Sequence, residues 1–266
     1  MAALGFGAAT IGSLSGLSGG FIVAPALRIF FDVAPDEAAA TALVLALANV
    51  MSASIAFVRQ RRVDLKLAAV VGCAAIPTSI AGAFAVRAAN ATSFDVLYAA
   101  MLALFALTLL RRRSAATAPR RARLPWSRER SFHDALTGGE QRYLESVPLE
   151  AGTGLVTGFL SSFFGIGGGT FVVPVLLRFF AMPAHVASAT SHMIILFSAP
   201  FGVAAHALAG DIIWLDALPL ALGGLAGGQA GAYLSRRLPE AVLVRIVAVV
   251  LVSASASLFY LHAEAW

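Results

Sequence analysis

Gly16-Leu17-Ser18-Gly19-Gly20-Phe21-Ile22-Val23-Ala24-Pro25 returns later in the chain as Gly165-Ile166-Gly167-Gly168-Gly169-Thr170-Phe171-Val172-Val173-Pro174. The offset is 149 (174 − 25), and it pairs further residues without a gap. Phe30-Phe31 matches Phe179-Phe180, Ala40-Thr41 matches Ala189-Thr190, Gly82 matches Gly231, and Arg87 matches Arg236. A single register held across most of each half is the mark of an internal repeat rather than of shared composition. The copies run over roughly 4–110 and 153–259, which divides the chain into repeats at 1–110 and 151–266 around a linker at 111–150.

In each copy the glycine-rich stretch separates two apolar pieces of half the spanning length, 2–15 and 21–31 in the first, 152–164 and 170–180 in the second. Three longer apolar runs follow each break, about 37–58, 65–86 and 92–110, then about 186–208, 212–235 and 241–259. Each is close to the ~20 residues that cross a bilayer core at ~1.5 Å per residue. The whole chain has 266 residues, 59% of them hydrophobic and 12% charged, with a mean hydropathy of +0.84. That charged fraction is about half of what coats a soluble domain, so lipid must serve as solvent for much of the surface. The expected fold is an all-α polytopic membrane protein of two inverted repeats, each a re-entrant or broken helical hairpin plus three transmembrane helices.

Charge sets the expected orientation. The formal charge of +5 and pI near 10.1 do not imply nucleic acid, because the positive residues cluster in loops. Nine of the 19 basic residues lie between Arg111 and Ser146, so the linker 111–146 is expected in the cytoplasm of a cell with the chain in its inner (plasma) membrane. Arg59-Gln60-Arg61-Arg62 falls two crossings earlier, on the same side, which leaves Asp32, Asp36 and Glu37 outside. In the second copy the equivalent of the Arg59–Arg62 loop, Ala209-Gly210-Asp211, has no basic residue, whereas Arg236-Arg237 replaces Arg87. The sides therefore invert if 152–180 enters and leaves through the cytoplasmic face, with His262–Trp266 outside. Eight full crossings with parallel halves is the rival arrangement. Met1 to Gly7 has no basic residues, so no cleaved signal peptide is expected. Cys73 sits in an apolar run and is expected to be a buried small hydrophobe.

Two glycine breaks each followed by proline, the Ala40-Thr41 and Ser188-Ala189-Thr190-Ser191-His192 runs, the Gly210-Asp211-Ile212 turn and the basic linker resemble the sulfite exporter TauE/SafE family. The resemblance covers nearly the whole chain and implies passage of sulfite, sulfoacetate, thiosulfate or related small anions. The first copy departs from the pattern, with Ala42-Leu43 where the second has Ser191-His192. Unequal contributions of the two halves to a ligand site follow from that departure.

Broken helices in membranes present free N–H groups and a positive dipole end, which suit an anion. The candidate substrate-binding residues are therefore Gly19, Gly20, Gly167, Gly168 and Gly169 at the breaks. The polar residues that follow them join the set: Thr41, Asn49 and Ser52 in one half, Ser188, Thr190, Ser191, His192 and Ser198 in the other. The ordinary alternative for a membrane Ser or Thr is a bond to its own helix or a neighbour. Asn49 and His192 stand out because an uncommitted amide or imidazole is costly in lipid. His206 is read first as a packing residue. Arg28 and Arg178 are read first as snorkelling to the interface, and Trp214 and Trp266 as interfacial anchors. None of the 14 acidic residues falls near the middle of an expected span, with Asp95 and Asp216 close to ends. An anion leaving a negative interior gains ~2.3 kcal/mol per charge per 100 mV, so export needs no coupling carboxylate.

No catalytic residue, cofactor or metal site is expected, and the partners are a small anionic substrate and the lipid bilayer, not nucleic acid. Oligomeric state, a homodimer included, is open. The competing class is an intramembrane serine hydrolase with Ser18 as nucleophile and a histidine base. Against it, the second copy has Gly167 where the first has Ser18.

Overall fold

The computed structural model describes residues 1–110, 128–134, 139–180, 182–237, 248–249 and 251–259. Helices α1 (Ala2–Ser15) and α2 (Gly20–Phe31) form the first broken pair, followed by α3 (Pro35–Arg59), α4 (Leu65–Ala85) and α5 (Ala91–Leu110). In the second half α6 (Val147–Phe164) and α7 (Gly169–Arg178) are the broken pair, followed by α8 (Ala184–Ala209) and α9 (Trp214–Leu234). Residues 251–259 are helical, and the rest of the sixth expected run lies mostly outside the described residues. Pro35–Arg59, Leu65–Ala88 and Ala184–Ala209 are each long and apolar enough to cross a membrane. This is an all-helical multi-pass membrane protein. The one addition lies in the linker, where β1 (Arg128–Asp134) pairs antiparallel with β2 (Gly139–Glu145). Most of the linker arginines, His262 and Trp266 lie outside the described residues.

Each break is a run of left-handed backbone. Gly16, Ser18 and Gly19 have φ of 88°, 66° and 85°, and Gly165, Gly167 and Gly168 have 69°, 70° and 77°. Left-handed backbone stops a right-handed helix, and only glycine adopts it without steric cost. The chain then doubles back. A Cβ at Gly19 would meet the Ala8 carbonyl of α1, and one at Gly168 would meet Thr157 of α6, the residue at the same 149 offset.

The halves exchange partners. α1 lies along α9 and α6 along α4, with small residues at both seams. Gly223, Gly227 and Gly231 of α9 rest on the carbonyls of Ala2, Phe6 and Thr10, while Gly154 and Gly158 of α6 rest on those of Val71 and Ala75. Such small-residue seams let membrane helices approach closely enough for dispersion to hold them. α3 and α8 pass each other in opposite directions. The Phe57 ring sits edge-on to His192 at 5.1 Å at one end, and Leu43 packs beside Gly202 at the other. The apolar faces turned away from these seams, such as Leu215, Leu218 and Leu222 of α9, are exposed and suited to lipid.

Two readings need correction. Cys73 is exposed, because α4 turns its other face to α6 and α8. Arg28 does not snorkel. It is buried and forms a two-pronged ion pair with Asp95 near the start of α5, Nε to Oδ1 at 2.9 Å and Nη2 to Oδ2 at 2.6 Å. A third donor of its guanidinium reaches the Val33 carbonyl. Asp95, expected near a span end, is fully buried there as its counter-charge. Arg178 is exposed, and Trp214 is half exposed at the first residue of α9.

Candidate functional site

The two breaks meet. The Ser18 hydroxyl donates toward the Ile166 carbonyl at 2.9 Å or that of Leu17 at 2.6 Å. A Cβ at Gly167 would overlap the same hydroxyl oxygen. Ser18 and Gly167 are equivalent in the repeat, so the residues in contact are copies of one another. The surrounding contacts are reciprocal: a Cβ at Gly20 would overlap the Gly165 carbonyl oxygen, and one at Gly169 would overlap that of Gly16. The carboxyl end of α6 thus abuts the amino end of α2, and the carboxyl end of α1 abuts the amino end of α7. Opposed helix-dipole ends lie together.

This geometry changes the role of the candidate glycines. Their bare Cα atoms admit close packing by neighbouring residues. Gly19 and Gly168 are packed on their own hairpins, and Gly20, Gly167 and Gly169 on the other half. What a ligand can use is the N–H groups at the helix starts.

Thr41 and Thr190 act as a pair of a different kind. Thr190 Oγ1 accepts the Asp64 N–H at 3.1 Å, just ahead of α4, and Thr41 Oγ1 accepts the Ile213 N–H at 3.2 Å, just ahead of α9. Asp64 and Ile213 are again equivalents, so each threonine ties down the helix start of the other half. Asn49 clamps the first break. Its Nδ2 donates to Ser18 O at 2.7 Å and Ala9 O at 3.4 Å, and its Oδ1 accepts from Ser13 Oγ at 2.6 Å. Ser52 donates to Leu225 O at 2.6 Å on α9. Ser198 is buried with only long contacts, 3.5 Å each, to Ile194 O and Ile195 O. His206 is committed at both nitrogens, to Asp211 Oδ2 at 3.0 Å and Ser162 O at 3.1 Å. Ser18 points at carbonyls, neither of which is a base.

Ser188, Ser191 and His192 come together, but over the first break instead of their own. Ser191 Oγ donates to Gly16 O or Ser188 O, both at 2.8 Å, and Ser188 lies against the Gly16 backbone. In the other half Ala39 occupies the matching place against Gly165. The polarity is therefore one-sided. Among the described residues, the buried side-chain atoms without a hydrogen-bond partner include Ser54 Oγ and Tyr98 Oη in the first half, and Ser161 Oγ, Thr170 Oγ1, Ser188 Oγ and His192 Nε2 in the second. The four of the second half have Gly12, Phe21, Ala39 and Leu43 as their counterparts. Ser161 packs by Gly168, and Thr170 stands in the first turn of α7. Sequence reasoning missed these two; the available signal was a hydroxyl at positions where the first copy has Gly12 and Phe21.

The family model described as sulfite exporter TauE/SafE matches residues 1–258. The probable membrane transporter protein YunE of Bacillus subtilis is 32% identical over 264 residues, covering 97% of this chain and 95% of its own. A probable membrane transporter protein of Methanocaldococcus jannaschii is 30% identical over 65% of this chain and 59% of its own length. One from Xylella fastidiosa is 32% identical over 54% and 48%. No solved structure matches. A family match across both breaks and an end-to-end relative lead to one conclusion: the chain belongs to the sulfite exporter TauE/SafE family.

Proposed function

We propose that the chain is an inner-membrane transporter, working as an exporter, for a small sulfur-containing or organic oxyanion such as sulfite or sulfoacetate. It works by alternating access between two inverted repeats. The observation that carries this is the meeting of two buried helix breaks beside buried hydroxyls that, among the described residues, have no partner. An unsatisfied buried hydroxyl costs roughly 1–3 kcal/mol, and an oxyanion would recover that cost. The anion lies at the start of α7, taking N–H groups of its first turn with Thr170 Oγ1 and Ser161 Oγ, and with Ser188 Oγ from α8. The names of the family and the relatives, an exporter of sulfite and probable membrane transporters, support the same reading. Opposite travel of α3 and α8 suits a two-fold axis in the membrane plane, as in transporters built from inverted repeats.

Flux into proteoliposomes with a panel of sulfite, sulfoacetate, thiosulfate, taurine and simple carboxylates tests the proposal. Thr170→Val keeps the shape and removes the hydroxyl. Since a hydrogen bond to a charged group contributes about 1.5–3 kcal/mol, flux of the preferred anion should fall about tenfold or more with membrane expression intact. Full flux in Thr170→Val, or no panel member moved by the wild type, overturns it.

A further inference from the structure

His192 is fully buried two turns into α8, and its two nitrogens are not alike. Nδ1 lies 3.0 Å from the Ser188 carbonyl oxygen, one turn back. A carbonyl only accepts, so Nδ1 carries the hydrogen and donates it. Nε2 in the neutral ring is then a bare lone pair, and among the described residues nothing donates to it. A fully charged oxyanion cannot satisfy that lone pair, because it too has only acceptors. The pairing works only with one proton between them, bound to Nε2 or brought by the anion as its hydrogen form.

The surroundings favour the pair. Phe57 stands edge-on to the imidazole at 5.1 Å, and the Arg62 guanidinium lies over the Phe57 ring, 5.2 Å from its centroid. Arg62 is itself buried and tied to Gln60 Oε1, Ser235 Oγ and His185 O. Just ahead of α4, the Asp64 N–H is held by Thr190, two residues before His192 on its helix. On the break side His192 is preceded by Ser188 and Ser191, both lying against Gly16. A proton alone on His192 would be a charge buried at 0% exposure, and an anion alone would face a lone pair. Each makes the other's arrival favourable.

We infer that His192 takes up one proton together with each anion, so that the transported unit is anion plus proton. This rests on the transporter reading and deepens it. In the step, Nε2 forms one N–H bond with a proton from water on the loading side, and the same bond breaks on release, leaving neutral imidazole. A monovalent anion then moves without net charge, whereas a divalent one still carries one negative charge and still gains from a negative interior.

Binding and flux together test it, with sulfoacetate and sulfite as probes. Calorimetry of the purified full chain in buffers of differing ionisation enthalpy should show about one proton taken up per anion bound. In proteoliposomes clamped at zero voltage, an imposed anion gradient should shift internal pH, and flux should rise as the loading-side pH falls. His192→Leu supplies the residue that the first half has at this position, Leu43. It should bind or move anion with no proton uptake and no pH dependence, at a rate lowered about tenfold or more. Anion binding by the wild type without proton uptake, or proton uptake surviving in His192→Leu, overturns the coupling and leaves the transporter reading standing. Neither binding nor flux of either probe refutes both.

Discussion

At the scale of single residues, the deciding question is whether a buried polar atom has a partner within the protein. Arg28 and Asp95 answer it for each other, at 6% and 0% side-chain exposure. Removing one partner strands a charge where lipid and protein offer no solvation, at a cost of about 3–5 kcal/mol. Arg28→Ala should therefore lower the unfolding temperature sharply in detergent, while the joint replacement Arg28→Met with Asp95→Leu should recover most of the loss. Equal damage from the single and double variants would show that the pair does not act as a unit. This contact was not legible in the sequence. The partners lie 67 residues apart on different helices, and neither recurs at the 149 offset, where Leu177 and Val244 stand. Thr41 and Thr190 were legible as important for the opposite reason, since the repeat marks both. Their task was not, because a hydroxyl that ties down a helix start and one that holds an anion look alike in a sequence.

At the scale of elements, the glycine-broken hairpin is what the sequence reveals best. A left-handed run must stop one helix before the next begins, and both breaks appear where Gly16–Gly20 and Gly165–Gly169 put them. What spacing alone does not show is that the breaks touch, since which backbone faces a glycine depends on the other half. That contact yields a prediction with a sign. Gly169→Ala would drive its methyl into the Gly16 carbonyl oxygen, backbone against backbone, so neither side can yield cheaply. Overpacking of this kind costs about 1–3 kcal/mol. Gly7→Ala and Gly152→Ala add the same methyl inside helices with nothing within 4 Å, where alanine gains up to ~1 kcal/mol. Thermal unfolding should thus move down for the first and level or up for the other two. An unchanged midpoint in Gly169→Ala would refute contact between the breaks. Ser18→Gly copies the second break into the first and removes a left-handed serine, so flux should survive it. A hydrolase would lose its activity with the hydroxyl.

At the scale of the molecule, the loop contacts sort the chain into two ends without reference to a membrane. Arg62 reaches Ser235 and His185, Gln60 Nε2 reaches Ala232 O, and Lys66 pairs with Glu145 at 2.9 Å, so the α3–α4 loop, the end of α9 and the start of α6 share one end. Arg87 lies 3.6 Å from Asp211 and Thr41 holds Ile213, so the end of α4 and the α8–α9 loop share the other. The first end gathers Arg59, Arg61, Arg62, Lys66, Arg236 and Arg237; the second has Asp211 and Asp216, with Arg87 and the Asp95-paired Arg28 as exceptions. By the positive-inside rule the first end is expected in the cytoplasm, the orientation that the proposed inverted arrangement requires. Cysteine labelling tests that assignment in intact cells. The exposed Cys73 is first replaced by alanine, and single cysteines are placed at the exposed positions Arg59, Arg237, Ala34 and Asn90. A membrane-impermeant maleimide should modify Ala34→Cys and Asn90→Cys at once, and Arg59→Cys and Arg237→Cys only after permeabilisation. Labelling that divides Arg59→Cys from Arg237→Cys would break the two-fold relation itself. Without it, the two breaks could not exchange access between the faces by the same motion run in reverse.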